Sequence, residues 1–477
     1  MVKSGLFALL LTAFGAVVVP TAMAASAPNA EPIPAPQPTV SPEILARAPR
    51  FVGTASCTAA GCHAGEYRSR PSHGDPWSPV AYNLWLSNDR HARAYETLLS
   101  AESQEIAAKL GLAAAHQQPE CLACHAPEGA TDHFTVSHRS TVVDGVGCEA
   151  CHGAAENWLA PHKTDGWRFS SSEAKASLGF RDLDNLATRA VACAECHVGS
   201  AGREVNHDLI AAGHPRLTFE LSSLHARMAK HWRNEDQPQE TLEAKLWVVG
   251  RGSGAQATVQ LLKSRAVHGK VWPEFSEYDC YACHHSLRDA GPADPGGLAA
   301  GDPRPGGLHW SEGSFEMLDI LGLDFDSVQR VKSLASEMSR PLPDRQRVAR
   351  LSGEIEQVLG RSAARASHES LTTTDVQQYL RRLSSDSASG ASRWDRASQR
   401  FLGLAAMHFS SVALAGRSHS LPGSAAAARR QHLEHLRSLL QFPNARDGSV
   451  TNSPPSWDDQ RRTEVEQSLQ RVRSTLP

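Results

Sequence analysis

The chain is short of methionine, of net charge, of long apolar runs and of cysteine outside fixed patterns. Six Met occur in 477 residues, and Met1 and Met23 fall in the first segment. Lys and Arg number 48 against 51 Asp and Glu, a formal charge of −3. That balance excludes the basic stripe that nucleic-acid binding needs. After an N-terminal apolar stretch from Leu6 to Val19, no run approaches the roughly 20 apolar residues of a membrane span. At 41% hydrophobic and 21% charged, the chain is otherwise of ordinary globular composition.

What the chain does have is ten cysteines, every one inside a motif that ends in histidine. Cys121-Leu122-Ala123-Cys124-His125, Cys148-Glu149-Ala150-Cys151-His152, Cys193-Ala194-Glu195-Cys196-His197 and Cys280-Tyr281-Ala282-Cys283-His284 all read C-x-x-C-H. Cys57-Thr58-Ala59-Ala60-Gly61-Cys62-His63 is the same signature with a wider spacer. In this pattern two thiols add to the vinyl groups of one heme, and the next residue is placed to reach the iron. Paired cysteines also hold zinc or form disulfides, but neither use requires a histidine directly after the second cysteine. The wide first motif is supported by parity, since Cys57 and Cys62 are otherwise the two left over. Five covalently attached heme c groups are expected, with His63, His125, His152, His197 and His284 as proximal ligands.

The N-terminus is expected to be a signal peptide over residues 1–24: Lys3, the apolar core, then Ala22-Met23-Ala24. No cysteine lies near that cleavage site, so lipid attachment there is excluded. An Ala/Pro-rich linker follows at 25–50, too proline-rich to fold. A periplasmic or otherwise exported protein with no transmembrane segment after cleavage is implied. Residues 51–310 carry all the motifs, with heavy Gly and Pro punctuation and short helical patterns. Residues 311–477 have no cysteine and longer helical patterns at Ser314–Met338 and Arg393–Gly416. Thr374-Asp375-Val376-Gln377 has the form of a capping box. The fold expected is mainly α with extensive coil, a compact multiheme region followed by a helical domain.

The sixth iron position decides what such a heme does. Met228 is the one Met among the motifs, so Met ligation is disfavoured for most sites. Of 23 histidines, 18 lie between His63 and His309. His91 shares a potential helical face with Leu84, Tyr95 and Leu98. His207 and His214 fall in Asn206-His207-Asp208-Leu209-Ile210-Ala211-Ala212-Gly213-His214-Pro215, and Pro215 can open a helix carrying Leu217, Leu221, Leu224, Met228 and His231, with His225 beside them. His162 follows the third motif and His138 lies between the second and third. His91, His138, His162, His207 and His214 are the expected distal ligands. His368, His408, His419, His432 and His435, in the helical half, read as surface residues.

Several segments resemble the cytochrome c-554 family of multiheme cytochromes: Phe51-Val52-Gly53-Thr54-Ala55-Ser56-Cys57, Trp85 to His91-Ala92, Gly145-Val146-Gly147-Cys148-Glu149-Ala150-Cys151-His152-Gly153, and Ala212-Gly213-His214-Pro215-Arg216-Leu217. The resemblance covers about Phe51 to His284. It implies mostly bis-His hemes in close pairs, passing electrons between periplasmic partners, with one heme able to be five-coordinate. It also implies His91 and His214 as distal ligands. This chain departs from the family in having five motifs in place of four. It lacks three motifs of the octaheme hydroxylamine-oxidising enzymes, and no motif ends in the lysine of pentaheme nitrite reductases.

The function expected is electron transfer with redox partner proteins and no catalytic residue. The alternative is a redox enzyme acting on a small nitrogen or sulfur compound at a five-coordinate heme, with Glu149, Glu195, Arg216 and His225 as nearby polar groups. No oligomeric state follows from the sequence.

Overall fold

The computed structural model describes residues 49–58, 62–65, 80–127, 142–232, 238–284, 308–315, 317–318, 322–385, 393–417, 423–441, 454 and 456–476. The expected signal peptide, nearly all of the linker, and His138 and His419 lie outside them. The fold is mainly α; among the described residues there are two isolated bridges and no strand.

In the motif region the helices are short and joined by coil. α1 (Ala81–Asn88) stops at Asp89, whose side chain accepts from His91 N and starts a 3-10 turn at Arg90–Arg93. This turn, rather than one continuous helical face, carries His91. α2 (Ala101–Lys109) is capped by Ser100. Three motifs then form the ends of helices: α3 (Pro119–His125), α4 (Cys148–His152) and α5 (Leu186–His197). One turn separates the two thiols in each, and the histidine follows on the helix end. α6 (His207–Ala212) is capped by Asn206.

α7 (Leu221–Arg227) begins later than Pro215 suggests, because the Glu220 carboxylate accepts from Ser222 N and Ser223 N and fixes the start there. Pro215 and Leu217 precede the helix, and His231 lies beyond its end.

α8 (Leu242–His268) is a 27-residue helix that departs from the short patterns expected before residue 310. It is buried around most of its circumference, so it carries no amphipathic stripe to betray it. Its Gly250, Gly252 and Gly254 look like breakers, and each costs about 1 kcal/mol relative to Ala in an isolated helix. Here they admit neighbours: a Cβ at those positions falls 2.6 Å from Leu221 Cβ, 3.0 Å from Ala363 Cβ and 2.8 Å from the Phe219 ring. α9 (Cys280–Cys283) carries the fifth motif and is capped by Asp279.

The later helices are α10 (Phe325–Met338), α11 (Arg345–His368), α12 (Thr373–Leu383), α13 (Trp394–Arg417), α14 (Ser424–Leu440) and α15 (Asp459–Ser474). α10 starts at Phe325 instead of Ser314, because Asp324 caps Ser327 N. The capping box is Thr372 with Asp375, two residues ahead of the expected Thr374. His408 is buried on α13, not at the surface. The largest apolar cluster joins Trp247 and Leu262 of α8 to Leu334, Leu359, Leu380, Leu404 and Leu436 of the later helices. The two regions on either side of residue 310 therefore share a core.

Candidate functional site

Each motif histidine has a second histidine ring opposite it. His63 faces His162 with ring centres 6.5 Å apart and planes 11° from parallel. His197 faces His91 at 6.2 Å and 84°. His125 faces His214 at 6.5 Å and 88°. His152 faces His231 at 6.2 Å and 61°. His284 faces His207 at 6.4 Å and 21°.

These spacings have a physical meaning. An imidazole nitrogen binds a metal at about 2 Å, and the ring centre lies about 1 Å further out, so two axial imidazoles on one iron have centres about 6 Å apart. All five pairs fit. The described residues contain no group of three or more His, Cys, Asp or Glu set to hold a bare ion. Paired rings without further donors suit a metal whose equatorial positions are filled by a macrocycle. The ten cysteines form no disulfide.

Hydrogen bonds at Nδ1 aim four of the rings. His91 Nδ1 is 2.9 Å from Asp89 Oδ1. His125 Nδ1 is 2.9 Å from Ala94 O, His162 Nδ1 2.6 Å from Leu159 O, and His214 Nδ1 2.8 Å from Pro215 O. An Nδ1–H donating to a carbonyl or carboxylate leaves Nε2 as the metal-binding lone pair. Burial pushes His152 and His197 down to about 4, helped by nearby histidines, which keeps both neutral. His91 goes the other way. Burial lowers it, but the hydrogen bond and charge of Asp89 more than offset that and hold it above the usual histidine value.

The sites touch one another. The Cys57 sulfur lies beside that of Cys148, and the Cys124 sulfur beside that of Cys196, setting the first site next to the third and the second next to the fourth. Glu149 fastens the first contact. Buried in α4, its carboxylate accepts from Gly53 N at 2.7 Å, Val52 N at 3.1 Å and Ala155 N at 2.6 Å. Glu195 forms ion pairs with Arg181 and Arg203, both 3.0 Å. Arg189 Nη1 lies 3.1 Å from His225 Nε2. Arg216 Nη1 is 3.6 Å from Cys280 Sγ. These polar groups hold the scaffold of the sites together.

The structure therefore brings His91, His162, His207 and His214 each to a motif histidine. His138 lies outside the described residues, and the ring opposite His152 belongs to His231. Sequence reasoning placed His231 on the face of a helix and gave it no role. Five candidates already matched five motifs, so the count did not point to His231.

Four thiol pairs on single helical turns and one with a wider spacing, each followed by a histidine that faces a second histidine, are the features of a c-type cytochrome. Residues 56–153 match the family described as cytochrome c554 and c-prime, and the chain is similar there to the c-type cytochromes of that family. It is 28% identical over 172 residues to cytochrome c-554 of Nitrosomonas europaea, an alignment covering 34% of this chain and 64% of that relative. The chain thus spans less than two thirds of the relative's length. The family match ends at Gly153, so the fourth and fifth motifs lie beyond it. No solved structure matches the chain.

Proposed function

We propose that the protein is an exported electron carrier with five covalently bound hemes, each held between two histidines: His63 and His162, His125 and His214, His152 and His231, His197 and His91, His284 and His207. The observation that carries this reading is the set of five facing rings at 6.2–6.5 Å. Heme c supplies a reversible one-electron iron couple whose potential bis-His ligation keeps low. The chain's part is to hold and orient: Cys57, Cys62, Cys121, Cys124, Cys148, Cys151, Cys193, Cys196, Cys280 and Cys283 attach, the paired imidazoles ligate, and the Nδ1 hydrogen bonds fix ring rotation. Redox proteins are the partners this chemistry serves, through small transient contacts. Among the described residues no helix is long and apolar enough to cross a membrane.

The alternative, an enzyme acting at a five-coordinate heme, needs a motif histidine with an open face. Each of the five has a ring opposite it, which favours the carrier. The test is a heme count on the mature protein by mass spectrometry together with electron paramagnetic resonance (EPR) of the oxidised form. Five adducts and wholly low-spin signals are expected. Fewer adducts, or a stoichiometric high-spin signal that shifts with nitrite or hydroxylamine, overturns the reading.

A further inference from the structure

The fifth motif is built differently from the other four. Tyr278, Asp279 and Tyr281, around and within it, find partners in the later helices and the segments near them. Tyr278 Oη donates to Met338 O at 2.9 Å, and Tyr278 forms a bridge with Trp310. Asp279 N donates to His309 O at 2.9 Å. Tyr281 Oη donates to Pro454 O, and its ring lies 6.4 Å from Trp457. Cys283 is exposed where the other motif cysteines are partly buried, and His284 is exposed where His63, His125, His152 and His197 are partly buried.

A short segment reaches from this motif to the second site. His207 begins α6 opposite His284, and its backbone N–H donates to Glu274 Oε1 at 2.8 Å. Two turns later His214 faces His125 of the second motif. The turn between them is fixed by Gly213 N to Ile210 O and His214 N to Leu209 O, both 3.0 Å. Gly213 has φ of 126°, and a Cβ there meets Ile106 Cγ1 of α2 at 3.4 Å. The segment then returns to the fifth motif. Arg216 places Nη1 by Cys280 Sγ and Nη2 3.1 Å from Ser311 Oγ, which donates to Asp395 Oδ2 of α13 at 2.6 Å.

We propose that the fifth site is a terminal appended to a four-site set: it joins that set at the second site through His207–Arg216, and the C-terminal helices serve to hold it. The inference rests on the bis-His reading above. It gives residues 311–477 a task, the framing of one heme site, and it makes Arg216 a positioning residue. Arg216 sets a cation beside one thioether sulfur and ties that sulfur to α13.

The test uses the full-length holoprotein carrying His207→Met, with hemes counted by mass spectrometry and spectra recorded by EPR at controlled potential. Methionine opposite His284 raises the midpoint of that site, so it is reduced first and loses its spin. Once it is reduced, the near-perpendicular-plane signal that is absent from a His214→Met variant should relax more slowly, because a neighbouring spin has gone. The His63/His162 signal should be unchanged. A relaxation change on the His63/His162 or His91/His197 signal, or on none, overturns the proposal.

Should His207→Met load fewer than five hemes, Arg216→Gln carries the test. Loss of the cation should lower the midpoint of the His207/His284 site and leave the His63/His162 site in place. A fall elsewhere, or none, overturns the proposal. A low heme count in the unmodified protein defeats the ligation reading instead, so the two failures are separable.

Discussion

His231 faces His152 across 6.2 Å, with the ring planes crossed at 61°. Removing either ring should affect one iron only. His231→Ala is expected to convert one heme in five to a high-spin signal, while His138→Ala leaves the spectrum unchanged. EPR of the two oxidised variants decides between the two histidines. A high-spin signal from His138→Ala and none from His231→Ala reverses the assignment.

Ring rotation predicts the spectrum of the unmodified protein. Near-parallel axial imidazoles give a rhombic low-spin signal, and near-perpendicular ones give a signal dominated by one large g value. The pairs at 11° and 21° belong to the first class, those at 84° and 88° to the second, and the 61° pair lies between. Spin quantitation should return both classes, each accounting for at least two hemes.

Glu149→Ala should destabilise the fold by roughly 2–6 kcal/mol, since three backbone N–H groups lose their acceptor and the two that are buried, on Gly53 and Ala155, cost about 1–3 kcal/mol each. Denaturant unfolding of the holoprotein measures the loss. Because Val52 and Gly53 lead into the first motif, the His63/His162 signal should broaden more than that of His207/His284.

Glu220 gives a pH signature. Burial lifts its carboxyl to about 7, although Ser223 and Ser222 N–H groups pull the other way. In the unfolded chain it titrates at the ordinary glutamate value of about 4.5. The folded value is the higher one, so stability from this group is full below about 4.5 and is lost as pH rises to about 7, by at most roughly 3 kcal/mol. The stability difference between the unmodified protein and Glu220→Gln should therefore slope between those pH values and be flat outside them. A flat difference across the whole range shows that Glu220 ionises normally.

The motifs stood out in the sequence because four of the five are local, two thiols and a histidine within about one turn. The opposing rings were legible only where a chain signal marked them. His91, His162, His207 and His214 sit beside Pro, Asp or apolar patterns. His231 is positioned by the chain's path after α7, where no periodicity applies. The α8 helix was hidden by its own burial, since Gly250, Gly252 and Gly254 read as interruptions until the side chains of Leu221, Ala363 and Phe219 are seen filling the space beside them. The start of α7 was misplaced because a carboxylate at Glu220 outcompeted the proline as the initiating residue.

The histidine pairs carry a consequence for biogenesis. Each ring waits for a mate roughly 80 to 100 residues further along the chain, and the mates arrive in the order in which their predecessors were made: 162, 197, 214, 231, 284. Residues 63, 91, 125 and 152 have all emerged before the first match is possible. On the bis-His reading, a chain made N-terminus first holds several half-complete sites before any one of them can close. No site can close before its later histidine has been made.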